Sequence, residues 1–497
     1  MRTTFLIVGS GANGISPAVF LKQRGLNDFR IITKDSDFGG VWHVSRYPGC
    51  ITDVHVAAYQ LSYAVSDSWT SSHPPAPEMA AYLRGVAKRY SLYDHADFDT
   101  EFLSAEWLEE DLCWKVTTSS AIYHTQFLIL ATGFLEQLKF PNLIGRDKFK
   151  GRIFHSGTWP KDYTGNGDTI AVLGTSASGV QIVPELQKVA KQVYVFQRTP
   201  MHLLPLNREF YTPEEMERRR ANPKILEAER AEKIKIFEKL ARDAIFHSET
   251  PEQVAEREAI INAHREKQVA DPKLREKLTP SYLLGCKRPT RTDLFYPTLQ
   301  KPNVMLVDEG VTELAEHSVI TQSGKEYQVD TVVMATGFHW GGDILGRIKR
   351  RDGVTVAEYQ RGHRKAYKSV SISGCPNLFW VGGANGAVWN GYAPGEFVAH
   401  YMLLVLDYMK QHAIKALEVR EEPELEWKRR TDEILSHAPI VIGGCVNYCL
   451  DESGHDMSSW PGTMESMCNE LSEFKHEHYQ PADHAKSGSA AMKEKVS

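Results

Sequence analysis

Short apolar runs alternate with amphipathic segments along the first part of the chain. Phe5-Leu6-Ile7-Val8 is apolar throughout and predicts a buried strand. Ile15 to Arg24 then carries the spacing of an amphipathic helix, and Phe29-Arg30-Ile31-Ile32 predicts a second strand. The same order returns at Thr169-Ile170-Ala171-Val172-Leu173, followed by a helix through about Ala190 and a strand from Val193 to Phe196. Two more apolar strands, Phe127 to Leu130 and Thr331 to Met334, each run into Ala-Thr-Gly, and Pro376 to Gly383 reads as a late strand ending in glycines. Pro213 to Leu278 is charged and helical in pattern, divided by prolines at 223, 251 and 272.

Strands alternating with helices predict an α/β protein with two doubly wound, Rossmann-like dinucleotide-binding domains. The expected division is a first domain in two parts, 1–145 and 329–480, with a linker at 146–165. A second domain spans 166–328 and includes a helical insertion at 213–278; residues 481–497, rich in Ala, Ser and Lys, are expected to be a disordered tail.

The turns between strand and helix carry the candidate chemistry. In Gly9-Ser10-Gly11-Ala12-Asn13-Gly14, Gly9 permits the tight turn, Gly11 lets the backbone approach a pyrophosphate, and Gly14 lets helix pack on strand. The acid expected at the end of the next strand is replaced by Thr33 and Lys34, leaving Thr33 as a weaker partner for a ribose hydroxyl. The second loop, Gly174-Thr175-Ser176-Ala177-Ser178-Gly179, has Ser176 at the middle place. Its following strand ends in Gln197-Arg198-Thr199, and an arginine there suits the 2′-phosphate of NADP. Two dinucleotides imply that one is a flavin, FAD, because two nicotinamides have little chemistry to share; Thr132 and Gly133 lie where a chain crosses close to it.

Composition narrows the class. The chain has 497 residues, 42% of them hydrophobic and 24% charged, which is ordinary for a folded protein. With 58 basic against 63 acidic residues the formal charge is −5, so nucleic acid is not an expected partner. Seven cysteines without a CxxC point to a reducing compartment and away from a metal or disulfide at Cys445 and Cys449. No apolar run reaches the length of a membrane span, and no cleavable presequence is legible, so a cytoplasmic location is expected.

Two longer signatures resemble those of the class B flavoprotein monooxygenases, and within them the type I Baeyer–Villiger monooxygenases. Phe149-Lys150-Gly151-Arg152-Ile153-Phe154-His155-Ser156-Gly157-Thr158-Trp159-Pro160 fits FxGxxxHxxxW(P/D), with Phe149, Gly151, His155 and Trp159 at its fixed positions. Gly39-Gly40-Val41-Trp42 through Pro48-Gly49 to Asp53 fits (A/G)GxWxxxx(F/Y)P(G/M)xxxD. The resemblance runs from residue 5 to about residue 462 and includes Gly285-Cys286-Lys287-Arg288 and Trp460-Pro461-Gly462. It implies that NADPH reduces FAD, that oxygen adds to give a peroxyflavin, and that this attacks a ketone or aldehyde to yield an ester or lactone. It implies catalytic roles for Arg288 and its partner Asp53, with Lys287 joining Arg198 and Thr199 around the 2′-phosphate. Gly40, Trp42, Asp53 and Tyr59 are implied at the flavin, Gly174, Ser176, Gly179 and Arg288 at NADP, and His155 in a linker that couples domain movement.

The physical need agrees with Arg288: a site that develops anionic oxygen requires a fixed cation, and a guanidinium stays charged at every working pH. The alternatives are a nitrogen- or sulfur-oxygenating relative of the same fold, and a flavoprotein redox sensor that does not oxygenate. Trp159-Pro160 favours the Baeyer–Villiger branch. No metal is expected, the partners being a small carbonyl substrate and O2; Trp380, Trp389 and Tyr392 are candidate substrate-pocket residues.

Overall fold

The computed structural model describes residues 1–246 and 250–482. Two sheets organise it. In the first, Arg2–Val8 lies between the parallel strands Phe29–Ile32 and Ile122–Leu130, with Val8 opposite Ile32 on one side and Leu130 on the other. Ala96–Asp97 extends one edge, and Cys113–Thr118, Phe102–Leu108 and Ile348–Lys349 extend the other. Leu378–Trp380 also runs parallel to Ile122–Leu130, so the late strand is inserted far from its sequence neighbours. The parallel strands therefore end together at Val8, Ile32, Leu130 and Trp380, the edge at which open α/β sheets bind ligands.

The second sheet is wholly parallel, in the order Val304–Val307, Gln192–Phe196, Thr169–Leu173, Thr331–Met334, Arg152–His155. This corrects two expected boundaries. Thr331–Met334 hydrogen-bonds between Thr169–Leu173 and Arg152–His155, so the second sheet runs past residue 328, and the first resumes only at Ile348. Arg152–His155, expected in a linker, is an edge strand, because its pairing with Thr331–Met334 satisfies backbone groups that a free linker would leave to water.

Helix Ala12–Gln23 follows the first glycine loop. It is buried on nearly every face rather than amphipathic, because helix Ala393–Gln411 covers the side that would otherwise meet solvent. Gly395 makes that approach possible and donates its N–H to Asn13 Oδ1 at 3.0 Å. In the charged middle of the chain, Pro213, Pro223, Pro251 and Pro272 each begin a helix, where a missing N–H costs nothing. Thr212 with Glu215 and Thr250 with Gln253 close capping boxes ahead of two of these helices. Among the described residues no helix is long and apolar enough to cross a membrane.

The expected tail begins too early at 481. Tyr479–Pro481 pairs antiparallel with Leu417–Val419, and Ala482 is buried behind it. The remainder of that segment, 483–497, lies outside the described residues.

Candidate functional site

The first glycine loop shows why each glycine is there. Gly9 has φ +118°, and a Cβ on it would overlap the Ala131 carbonyl, where the neighbouring strand exits. A Cβ on Gly14 would overlap the Gly9 carbonyl and push helix from strand. Gly11 differs: its Cβ would meet only the Gly40 Cα, at 3.5 Å. The protein itself leaves room at Gly11, so the need for glycine there comes from what occupies the space in front of it.

That space is a cleft of about 450 Å³. Gly9, Gly11, Gly40, Trp42, Tyr59, Thr132 and Gly133 all line it; Gly14 stands behind the loop. Trp42 Nε1 and Tyr392 Oη are buried at its wall and approach each other, but neither makes a well-formed hydrogen bond among the described residues, which leaves both able to bond a ligand. Burial raises the Tyr59 phenol to about 12, while nearby Arg288 pulls it back. The missing ribose acid has a counterpart that sequence reading passed over. Thr33 is buried and its hydroxyl is held by Ser10 Oγ at 3.1 Å, but Asp35, two residues on, lines the cleft with its carboxyl raised by burial. The signal was an acid displaced by two positions from the usual place.

The second loop repeats the first. Gly174 has φ +106° and abuts the Ala335 carbonyl, and Gly179 abuts Gly174. Ser176 is exposed at the start of helix Ala177–Gln187 and makes no side-chain cap, leaving that helix end open. Arg198 and Thr199 follow the adjacent strand, and Lys287 lies close enough to Arg198 for the two cations to repel, which, after burial, lowers the lysine from its usual value. Among the described residues neither Arg198 nor Lys287 has a carboxylate partner. Two unpaired cations side by side suit a dianionic phosphate.

Between the loops, Arg288 Nη2 donates to Asp53 Oδ1 at 2.9 Å. The Asp53 carboxylate raises the guanidinium above its usual value, although its side chain is 65% exposed in the space between the two sheets. Tyr59 and Tyr392 stack at 4.4 Å with Trp42 edge-on, which places an aromatic wall beside the arginine. Tyr448 also comes near Arg288 and stacks on Trp340, which stacks on Phe134; this series was not legible in the sequence, since its members are far apart in the chain. Phe237 of helix Pro223–Phe246 stacks on Trp389 at 5.0 Å, so the helical segment packs against the turn that leads to Tyr392. Trp380 does not face a ligand space: it is 4% exposed within the core behind the first sheet.

The fingerprint residues are packed, not presented. Phe149 and Trp159 are buried, Trp159 Nε1 donating to the Tyr163 carbonyl at 3.2 Å, and a Cβ on Gly151 would overlap the Asp330 carbonyl and the Phe149 ring. His155 is fully buried between the edges of Phe140 and Phe338, and burial lowers its pKa. Its Nδ1 accepts from Gly157 N–H at 3.0 Å, so the proton belongs on Nε2, which faces Gly337 without a well-formed bond.

One expectation is overturned at the site itself. Cys286, directly before Lys287 and Arg288, is joined by a disulfide to Cys445. The two are 159 residues apart and share no spacing motif, so only the fold brings them together. Leu283 N–H donates to the Gly443 carbonyl and Asn447 Nδ2 to the Cys286 carbonyl, so the two loops are interlocked around the bridge. The remaining cysteines among the described residues, Cys449 included, are free.

Two glycine loops, one on each sheet, together with an arginine held by a carboxylate near the wall of the first cleft, define an oxidoreductase built on two dinucleotides. Residues 6–265 match the pyridine nucleotide-disulphide oxidoreductase family. The chain is 32% identical over 479 residues to a Baeyer-Villiger monooxygenase of Streptomyces coelicolor, covering 95% of this chain and 92% of that protein. It is 31% identical over 462 residues to a Baeyer-Villiger monooxygenase of Pseudomonas aeruginosa, covering 92% and 87%. Among solved structures it resembles OTEMO in complex with FAD and NADP, with TM-score 0.85 and 26% identity over 96% of this chain and 99% of that one. The chain belongs to the Baeyer–Villiger monooxygenases.

Proposed function

We propose that this monooxygenase holds FAD in the first cleft and NADPH at the second loop, and converts a ketone or aldehyde to an ester or lactone beside Arg288. The observation that carries the reading is the Arg288–Asp53 pair set against the aromatic wall of the flavin cleft. Reduced flavin, when bound, supplies activated oxygen for insertion next to a carbonyl.

The chain's own contribution is positional and electrostatic. Gly11 lets the backbone approach the pyrophosphate, Gly9 and Gly40 shape the turns that flank it, Thr132 and Gly133 line the same cleft, and Asp35 assists Thr33 at the ribose. Trp42 Nε1 and Tyr392 Oη offer donors that no well-formed bond among the described residues engages. Tyr59 stays protonated through any working pH because burial raises it to about 12, so it too donates. Gly174, Ser176 and Gly179 receive the NADP pyrophosphate, and Arg198, Thr199 and Lys287 receive the 2′-phosphate. Arg288 stabilises developing negative charge on oxygen, and Asp53 fixes the direction in which the guanidinium points. The Phe237–Trp389 stack ties the helical segment to the turn that carries Tyr392 to the cleft wall.

Protein given NADPH, isotopically labelled oxygen gas and a panel of ketones is expected to form esters carrying one labelled atom. Arg288→Ala should keep its bound flavin yet lose about two orders of magnitude or more in ester formation. Sulfoxides or N-oxides with no ester from any ketone would overturn the carbonyl reading.

A further inference from the structure

Away from both nucleotide loops, side chains from three separate segments converge. His363 lies in the turn after the short helix Val356–Tyr359, Asp432 near the end of helix Glu421–Leu435, and His455 on the loop that follows Tyr448. One ligand atom from each, a ring nitrogen of either histidine and a carboxylate oxygen, lies within 4.8 Å of the others. His363 Nε2 is 2.7 Å from Asp432 Oδ2, and the two imidazoles face one another at 4.8 Å and 34°.

We propose that His363, Asp432 and His455 form a binding site for a first-row divalent cation, zinc foremost, that fastens helix Glu421–Leu435 to the two loops beside it. Two imidazoles and one carboxylate are the donor set of zinc, cobalt or nickel; magnesium and calcium require mostly oxygen. Donors around tetrahedral zinc stand about 3.3 Å apart, so side-chain rotations on the order of 1 Å bring these three onto one sphere.

The surroundings are built for such a role. Lys428 Nζ holds Asp432 Oδ1 at 2.6 Å, which fixes the carboxylate and leaves Oδ2 facing the histidines. Asp451 is 96% buried; its Oδ1 caps the turn through Ser453 and His455 N–H, and lies 3.7 Å from His455 Nδ1. Among the described residues neither Asp451 Oδ2 nor His455 Nδ1 has a hydrogen-bond partner. With His455 Nε2 on a metal, Nδ1–H would turn to Asp451, the outer-shell carboxylate that orients many metal-bound imidazoles. The charged groups facing the cluster balance, Lys428 and Arg364 against Asp432 and Asp451, so an added dication meets no net positive field. His363 and Asp451 also border a cavity of about 490 Å³, which leaves an open side for water as a further ligand. Because Tyr448 lines the same cavity and approaches Arg288, a cation here would stiffen a loop that reaches the reaction site.

Full-length, flavin-loaded protein is washed with chelator and titrated calorimetrically with Zn²⁺ alone. The expected result is saturable binding of a single ion in the micromolar range or tighter, weakened at least about tenfold in His363→Gln and in His455→Gln, with a zinc-dependent rise in melting temperature absent from both. Asp432→Asn should act likewise; because it also loses its partner Lys428, the histidine variants carry the decision. Absence of saturable binding in the wild-type protein, or zinc binding that is unchanged in both histidine variants, would overturn the site.

Discussion

Arg198 and Lys287 are two cations held next to each other although no carboxylate among the described residues pairs with either. Such an arrangement suits a ligand that brings the negative charge, and a charge-assisted hydrogen bond to it contributes about 1.5–3 kcal/mol. Arg198→Ala is therefore expected to raise KM for NADPH by about 10- to 100-fold while leaving that for NADH nearly unchanged, and Lys287→Ala should shift it in the same direction by less. Steady-state kinetics with both nucleotides decides it: equal losses with each would place these residues away from the 2′-phosphate. Arg288 differs in kind, since Asp53 already neutralises it, which makes its task orientation of a charge more than provision of one.

At the scale of strand, turn and helix, the glycines separate two requirements that a motif merges. Gly14→Ala has nowhere to place its Cβ except against the Gly9 carbonyl, so the variant should melt several degrees lower with or without flavin. Gly11→Ala meets only open space and the Gly40 Cα, so its apoprotein should melt like the wild type while its affinity for FAD falls. Thermal melts of apo and FAD-loaded protein compare the two; a Gly11→Ala variant that binds FAD normally would refute the close approach. These loops were legible in the sequence because a strand, six residues and a helix suffice to define them. Where sequence reading failed, the determinant was distant. Thr331–Met334 and Leu378–Trp380 look alike as apolar runs, yet one enters the second sheet and the other the first, by pairings formed far along the chain. The amphipathic reading of Ile15 to Arg24 failed because Ala393–Gln411 covers the outer face of the helix, and Asp35 was overlooked because a turn, not the strand, aims it at the cleft.

Across the whole molecule, several contacts between the two sheet units lie near the reacting space. Tyr47 Oη donates to Gln181 Oε1 at 3.0 Å, Gln181 Nε2 donates to the Ile51 carbonyl at 3.1 Å, and Asp53 pairs with Arg288. The Cys286–Cys445 bridge joins the loop bearing Arg288 to the loop bearing Tyr448. Closing a loop of that length stabilises a fold by about 2–4 kcal/mol. Treatment with dithiothreitol, or the Cys286→Ser variant, is expected to lower the melting temperature by a few degrees and to reduce the ester formed per NADPH consumed, as the arginine loop loosens. Unchanged melting and unchanged coupling after verified reduction would show the bridge to be idle. The bridge also turns residues 286 to 445 into a closed ring, with the helices Pro213–Ala221 through Pro272–Lys277 outside it on a linear arm. A single cut in the ring leaves one covalent molecule until it is reduced, whereas a single cut in the arm divides the chain at once, so the order in which a protease works decides whether the enzyme survives as one piece.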